Sequence, residues 1–147
     1  MKVINIEIND IIYNVKVAEL DEDFEKGLQN ISFLEENSGM LFKFKDEEEV
    51  AFWMKDTNIP LDIIFVNSND EVVQVSKGVP HSKDLIECKA KYVIELNENS
   101  GVNVGDEVDL DPEDSEDSYT MFVIGIDGDS IMNLQGGERI FSRKDTR

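Results

Sequence analysis

The stretch that decides the fold is Phe52–Val66, FWMKDTNIPLDIIFV. Ten of its fifteen residues are apolar or proline, yet Lys55, Asp56, Thr57, Asn58 and Asp62 sit among them. Pro60 fixes its own φ and biases Ile59 away from helix, so DTNIP connects two strands in extended form. The side chains of Asp56, Thr57 and Asn58 are of the kind that bond nearby backbone in turns, which accounts for their polarity without chemistry. Asp62 differs. With Leu61, Ile63 and Phe65 facing the core, it shares the other face with Ile64 and Val66. A carboxylate there requires a partner, and Lys55 is the nearest candidate by sequence. Lys55, Asp56, Thr57 and Asp62 therefore make one candidate polar cluster: a small pocket if it binds something, a hydrogen-bonded strand connection otherwise. Buried polar groups more often serve satisfaction than catalysis, so the structural expectation leads. Trp53 is expected in the core for the area it buries.

Strand signals continue on both sides. Val3–Ile8 and Ile11–Val17 flank Asn9-Asp10, the pattern of a hairpin. Asp21 can cap a short helix over 22–31 in which Phe24, Leu28 and Ile31 share one face. Gly27 within it costs about 1 kcal/mol relative to alanine, so that helix depends on packing. Met40–Lys45 and Val50–Lys55 are expected to pair as a second hairpin around the acidic run Asp46–Glu49. Leu61–Val66 and Glu71–Ser76 make a third. Residues 77–90 show no period and predict a loop, and Tyr92–Leu96 and Glu107–Leu110 are further strands. The expected class is mostly β (α+β), an antiparallel barrel- or sandwich-like domain with one short helix and a C-terminal β-hairpin extension. The division runs 1–110 for the β-rich domain, 111–118 for an acidic linker (DPEDSEDS), and 119–147 for a hairpin and basic tail.

The chain has 147 residues, enough for one domain with a real core. Its formal net charge of −19 opposes contact with a phosphate backbone, so no nucleic-acid partner is expected. No run approaches the length of a membrane span, and the N-terminus lacks the apolar core of a signal peptide. The expected compartment is the cytoplasm, or a virion assembled there. One cysteine, Cys88, allows no internal disulfide.

GMLFKF (Gly39–Phe44), FWMKDTNIPLDIIFV, EVVQV (Glu71–Val75), KYVIEL (Lys91–Leu96) and GVNVGDEV (Gly101–Val108) together resemble the domain of unknown function 192 family over roughly residues 15–110. The resemblance implies a compact β-rich domain and carries no activity, cofactor or catalytic residue with it. Two features depart from the family: Gly27-Leu28 is followed by Gln29 where many relatives have a GLM-type helix end, and the secretion signal of many relatives is absent. The ending GGERIFSRKDTR is similar, more weakly, to the ends of phage structural proteins.

Two function classes follow. The first is a non-catalytic binding or assembly module, an accessory component of a phage particle, with no cofactor. Its assembly contact would lie in residues 119–147, where Tyr119–Ile126 is apolar on both faces and must pack against something. The contact residues are Phe122, Ile124, Ile126, Arg139, Phe141, Arg143, Lys144 and Arg147, meeting a protein partner or neighbouring copies. The second class is a small hydrolase-like enzyme using Lys55, Asp56 and Asp62, or a His81/Cys88 pair in one loop. A Cys–His nucleophile needs a mutual hydrogen bond and an orienting third group, and the sequence shows neither. The acids from Asp106 to Asp117 fail the EF-hand register, because Asp114 falls where glycine is required and Thr120 where a glutamate is. No metal ligand set is assigned.

Overall fold

The computed structural model describes residues 2–19 and 21–111. The hairpin and tail expected over 119–147, with their eight contact residues, lie outside the described residues.

Seven strands and one short helix follow in order: β1 (Lys2–Ile8), β2 (Ile11–Ala18), α1 (Asp21–Lys26), β3 (Ser38–Phe52), β4 (Leu61–Val66), β5 (Val72–Gly78), β6 (Ile86–Asn97) and β7 (Val108–Asp109). The strands form one sheet in the order β5-β4-β6-β3-β2-β1-β7. The domain is thus mostly β and antiparallel, a curled sheet forming a half-barrel. Its edges are drawn together at one end. Glu71 bridges Glu107 in antiparallel fashion, and Val72 N donates to Asp106 O at 2.9 Å while Val108 N donates to Asp70 O at 2.8 Å.

Alternation along the strands makes two cores, one on each side of the sheet. Inside the curl lie Ile6, Ile8, Val15, Val17, Leu41, Ile64, Ile94 and Leu96. On the outer face of β3, β4 and β6 lie Met40, Phe42, Leu61, Ile63, Phe65 and Val93. A sheet with one wet face would show alternating burial, but all six residues of β4 are buried. That continuous apolar run is the signature of a strand covered on both sides.

The cover comes from a crossover. β2 and β3 pair in parallel, with Val15 opposite Gly39 and Ala18 opposite Phe42. A parallel pair cannot be joined by a tight turn. Residues 19–37 therefore carry the chain across the outer face, and Phe24, Leu28, Ile31 and Leu34 pack there. The helix is shorter than the 22–31 expected. It stops at Lys26, and Gly27 takes φ +50, a left-handed conformation that ends helices. Phe24, Leu28 and Ile31 still reach the same core, from one turn of helix and the turns after it.

Two further expectations are corrected. Met40–Lys45 and Val50–Lys55 are not a hairpin. Met40–Lys45 and Val50–Phe52 belong to one strand of 15 residues, which ends before Trp53, because β6 is long enough to pair with both parts, Gly39 opposite Leu96 and Phe52 opposite Ile86, with an irregularity between Lys43 and Glu48. For the same reason residues 86–90 are not loop. They form the first part of β6, opposite Phe52–Glu48, and only residues 79–85 connect it to β5.

Candidate functional site

The crossover does not cover the outer face completely. Between α1 and the far half of β3 it leaves a pocket of about 340 Å³. Phe24, Phe42, Phe44, Phe52 and Trp53 line it, and Glu95 lies among them. The strand geometry explains the lining. Phe42, Phe44, Val50 and Phe52 are separated by even numbers of residues along β3 and pack in the same outer core. The rings interlock. Phe24 stacks on Phe44 with centroids 5.3 Å apart, and Phe42 meets Phe52 edge-to-face at 4.9 Å. Phe52 continues to Phe65, also edge-to-face, at 6.0 Å. Such offset and perpendicular arrangements are the favoured ones for aromatic quadrupoles and hold the wall rigid.

Glu95 sits on β6 between Met40 of β3 and Ile63 of β4 in the sheet register. It shares its face with Val93, so the alternation that buries Ile94 and Leu96 inside the curl sends the Glu95 carboxyl outward, into the second core. The residue is 4% exposed, and its Oε1 has no hydrogen-bond partner. Burial pushes its pKa from the ordinary 4.5 up to about 8. An ionised carboxylate here would lack both water and a counter-charge, so at neutral pH the group is held as the acid.

The residues singled out in the sequence are dispersed. Asp62 is buried, but it belongs to the inner side of the sheet. Its Oδ2 accepts from the Ser100 amide at 3.0 Å and from the Ser100 hydroxyl at 2.6 Å. Its Oδ1 lies 3.5 Å from the Lys77 ammonium. Lys77, 15 residues further along the chain but directly opposite Asp62 in the β4–β5 register, takes the place expected of Lys55. Lys55 is exposed instead, with its ammonium 5.5 Å from the centre of the Trp53 ring. Asp56 is exposed at φ 58. Thr57 alone of the four lines the pocket, buried, with its hydroxyl donating to the Lys55 carbonyl at 3.3 Å. Trp53 is 42% exposed and stands at the pocket rather than in the core.

His81 is exposed at φ 67, and its backbone N–H donates to the carbonyls of Met54 and Thr57. Cys88 lies on β6, and its Sγ is 3.5 Å from the Lys89 carbonyl. Burial, with Glu49 nearby, pushes its thiol up. That is the opposite of the lowered pKa that activates a nucleophilic cysteine. Among the described residues no group of three or more His, Cys, Asp or Glu could hold a metal ion, and no helix is long and apolar enough to cross a membrane.

Little in the local sequence marks Glu95 as a site residue, because KYVIEL has the pattern of an ordinary strand. One signal was present: a single acid in a strand apolar on both faces, where neither face offers it water.

Fold and site together define a half-barrel domain with an aromatic pocket, holding one buried acid, on the outer face of its sheet. The chain belongs to the DUF192 family, described as an uncharacterized ACR, which it matches over residues 4–110. That span adds β1 and the first hairpin to the stretch of resemblance evident from motifs alone. No functionally curated protein matches it. Among solved structures, a protein of unknown function from Novosphingobium aromaticivorans is similar at 25% identity and a TM-score of 0.69, over 73% of this chain and 84% of its own. A candidate transcription regulator from Sinorhizobium meliloti is similar at 29% identity and a TM-score of 0.67, over 71% of this chain and 91% of its own.

Proposed function

We propose that the chain is a non-catalytic binding module whose site is the aromatic pocket over Glu95. The observation that carries this reading is the unpartnered, buried carboxyl oxygen facing an apolar space large enough for a small molecule. Pockets of this kind, mostly apolar with one or a few placed polar groups, are the common form of small-molecule sites. Acid–base or covalent catalysis asks for a second group placed to take the proton or to attack. Beside Glu95 the pocket offers Thr57, whose hydroxyl is turned to a carbonyl, Lys26, which is exposed, and Gln29, whose amide neither takes up a proton nor attacks at neutral pH. The description of the Sinorhizobium protein as a candidate transcription regulator does not carry over readily, because a net charge of −19 opposes direct contact with DNA. Assembly through residues 119–147, in a phage particle or elsewhere, is a separate proposal that rests on the sequence of those residues.

The test is a ligand-observed NMR screen of the full-length protein against small amphiphiles and a metabolite extract, repeated with Val50→Phe. Val50 lines the pocket, and the larger ring would occupy it. Binders that Val50→Phe abolishes support the module. No binder, or binders indifferent to the filled pocket, overturn it, as does turnover of a bound compound that Glu95→Gln removes.

A further inference from the structure

Resting on the reading of the pocket as a ligand site, we infer that it takes an organic ammonium group on a small apolar body, with Glu95 as the counter-charge and the surrounding rings as the wall. Three observations lead there independently of one another. Glu95 Oε1 is buried without a partner, and a buried acceptor left unmade is costly, so the site is complete only when something donates to it. The remaining lining is dominated by five aromatic side chains, one of which, Trp53, already carries an ammonium, that of Lys55, 5.5 Å from its ring centre; aromatic surfaces favour a cation and offer nothing comparable to an anion. The whole chain carries a net charge of −19, a field that draws cations in and turns anions away. A carboxylic acid ligand would bring a second carboxyl against one that is already buried. An alcohol could donate one hydrogen bond but brings no charge for the acid or the aromatic wall to answer. An ammonium uses both.

The groups facing Glu95 are few. From the flanking strands Met40 and Ile63 oppose it. From the crossover the pocket receives Lys26, which is exposed, and the neutral Gln29, and from the β3–β4 connection Thr57. Burial is what raises the Glu95 pKa, to about 8. An incoming ammonium reverses that logic: the carboxylic acid gives its proton to water, the carboxylate and the ammonium pair, and one proton is released for each ligand bound. Nothing is oxidised or reduced. Affinity therefore rises with pH, by up to about tenfold per unit, until the free carboxyl is itself ionised near 8.

A free amine and the side chain of a lysine in a peptide present the same chemistry. The experiment uses the full-length protein with benzylammonium, its neutral counterpart benzyl alcohol, and a blocked lysine amide, measured by calorimetry at about pH 6 and at about pH 8 in buffers of differing ionisation enthalpy. The expected result is benzylammonium binding at least about tenfold tighter than benzyl alcohol at the higher pH, with about one proton released in the lower-pH measurement. Glu95→Gln, which keeps the side-chain volume, should erase that preference and leave benzyl alcohol within about threefold. Tighter binding of the lysine amide than of benzylammonium would place the ammonium on a protein partner; the reverse would place it on a free amine. Benzyl alcohol binding as well as benzylammonium overturns the ammonium assignment while keeping the pocket as a ligand site. Should none of the probes bind and none perturb the Trp53 indole signal, both readings fall.

Discussion

Gly27 lies directly over Glu95: a Cβ built at Gly27 would stand 3.7 Å from Glu95 Oε1 and 3.6 Å from Phe42 Cζ. The turn that ends α1 thus helps to bury the carboxyl from the crossover side without bonding it, and the consequence of that burial is a pH-dependent stability. Below 4.5 the group is protonated both folded and unfolded, and contributes nothing. Between 4.5 and about 8 the folded chain keeps a proton that the unfolded chain has lost. The folded state then binds more protons, so stability falls as pH rises across that window, by up to about 1.4 kcal/mol per unit, and levels off above it. Urea unfolding of the wild type and Glu95→Gln at several pH values checks this. The variant should be the more stable at neutral pH and should lack the fall. Parallel curves for the two proteins would show that Glu95 ionises freely in the folded state.

Asp62, also buried, has its hydrogen-bond partners in place. Two bonds from Ser100 meet one carboxylate oxygen and tie the 97–103 loop to β4, whereas Lys77 is 65% exposed and 3.5 Å away. Asp62→Ala should cost about 2 kcal/mol, the scale of hydrogen bonds to a charged group. Lys77→Ala should cost less than about 0.5 kcal/mol, as an exposed pair does. Chemical denaturation of the two variants checks the order; a Lys77→Ala loss equal to that of Asp62→Ala would make the ion pair, and not Ser100, the anchor.

The first hairpin is legible in the sequence down to its turn. Ile8 pairs with Ile11, and Asn9 and Asp10 take φ 55 and φ 65, the left-handed pair that a two-residue connection requires. Asp10 has no steric reason to prefer that region and glycine does. Asp10→Gly should therefore hold or raise stability, by about 0.5 kcal/mol. A loss in melting temperature would mean that the Asp10 side chain matters to the turn.

Local signals of that kind carried most of the fold. Asn9-Asp10, Asn67–Asp70 and Pro60 each declared a strand end, because turn chemistry is local. What the sequence did not reveal depended on partners remote in the chain. Asp46–Glu49 resembles a hairpin turn until β6 is present to pair with both sides of it, after which β3 runs through. Cys88 looked like loop because Ile86–Ala90 has no period of its own; its conformation is imposed by Glu48–Phe52 across the ladder. The same holds for the site. Neighbours along the chain suggest a cluster around Asp62, whereas Asp62 is satisfied by Ser100, 38 residues away. The Glu95 pocket draws on a crossover, two parts of one strand and a third element, and no window of sequence contains it.

Gly39 and Gly78 are both buried glycines in strands, and the structure distinguishes them sharply. Gly39 lies on β3 between Val15 of β2 and Leu96 of β6. A Cβ there would run onto the carbonyl oxygen of Glu95 and stand 2.7 Å from Leu96 Cδ2. The first obstacle is backbone in a central ladder and cannot move without pulling β6 off β3, and with it the strand that positions Glu95. At Gly78 the added atom would meet Met54 Sδ at 2.6 Å and Met54 Cε at 3.0 Å. Those are the far atoms of a flexible side chain, which can swing aside. Gly39→Ala should therefore cost about 3 kcal/mol or prevent folding, the upper range of overpacking, while Gly78→Ala should cost about 1 kcal/mol. The two variants differ in composition by nothing, so their melting temperatures compare directly. Equal losses would mean that β3 and β6 can part near Gly39 at little cost, and that the sheet beneath the pocket is looser than its pairing implies.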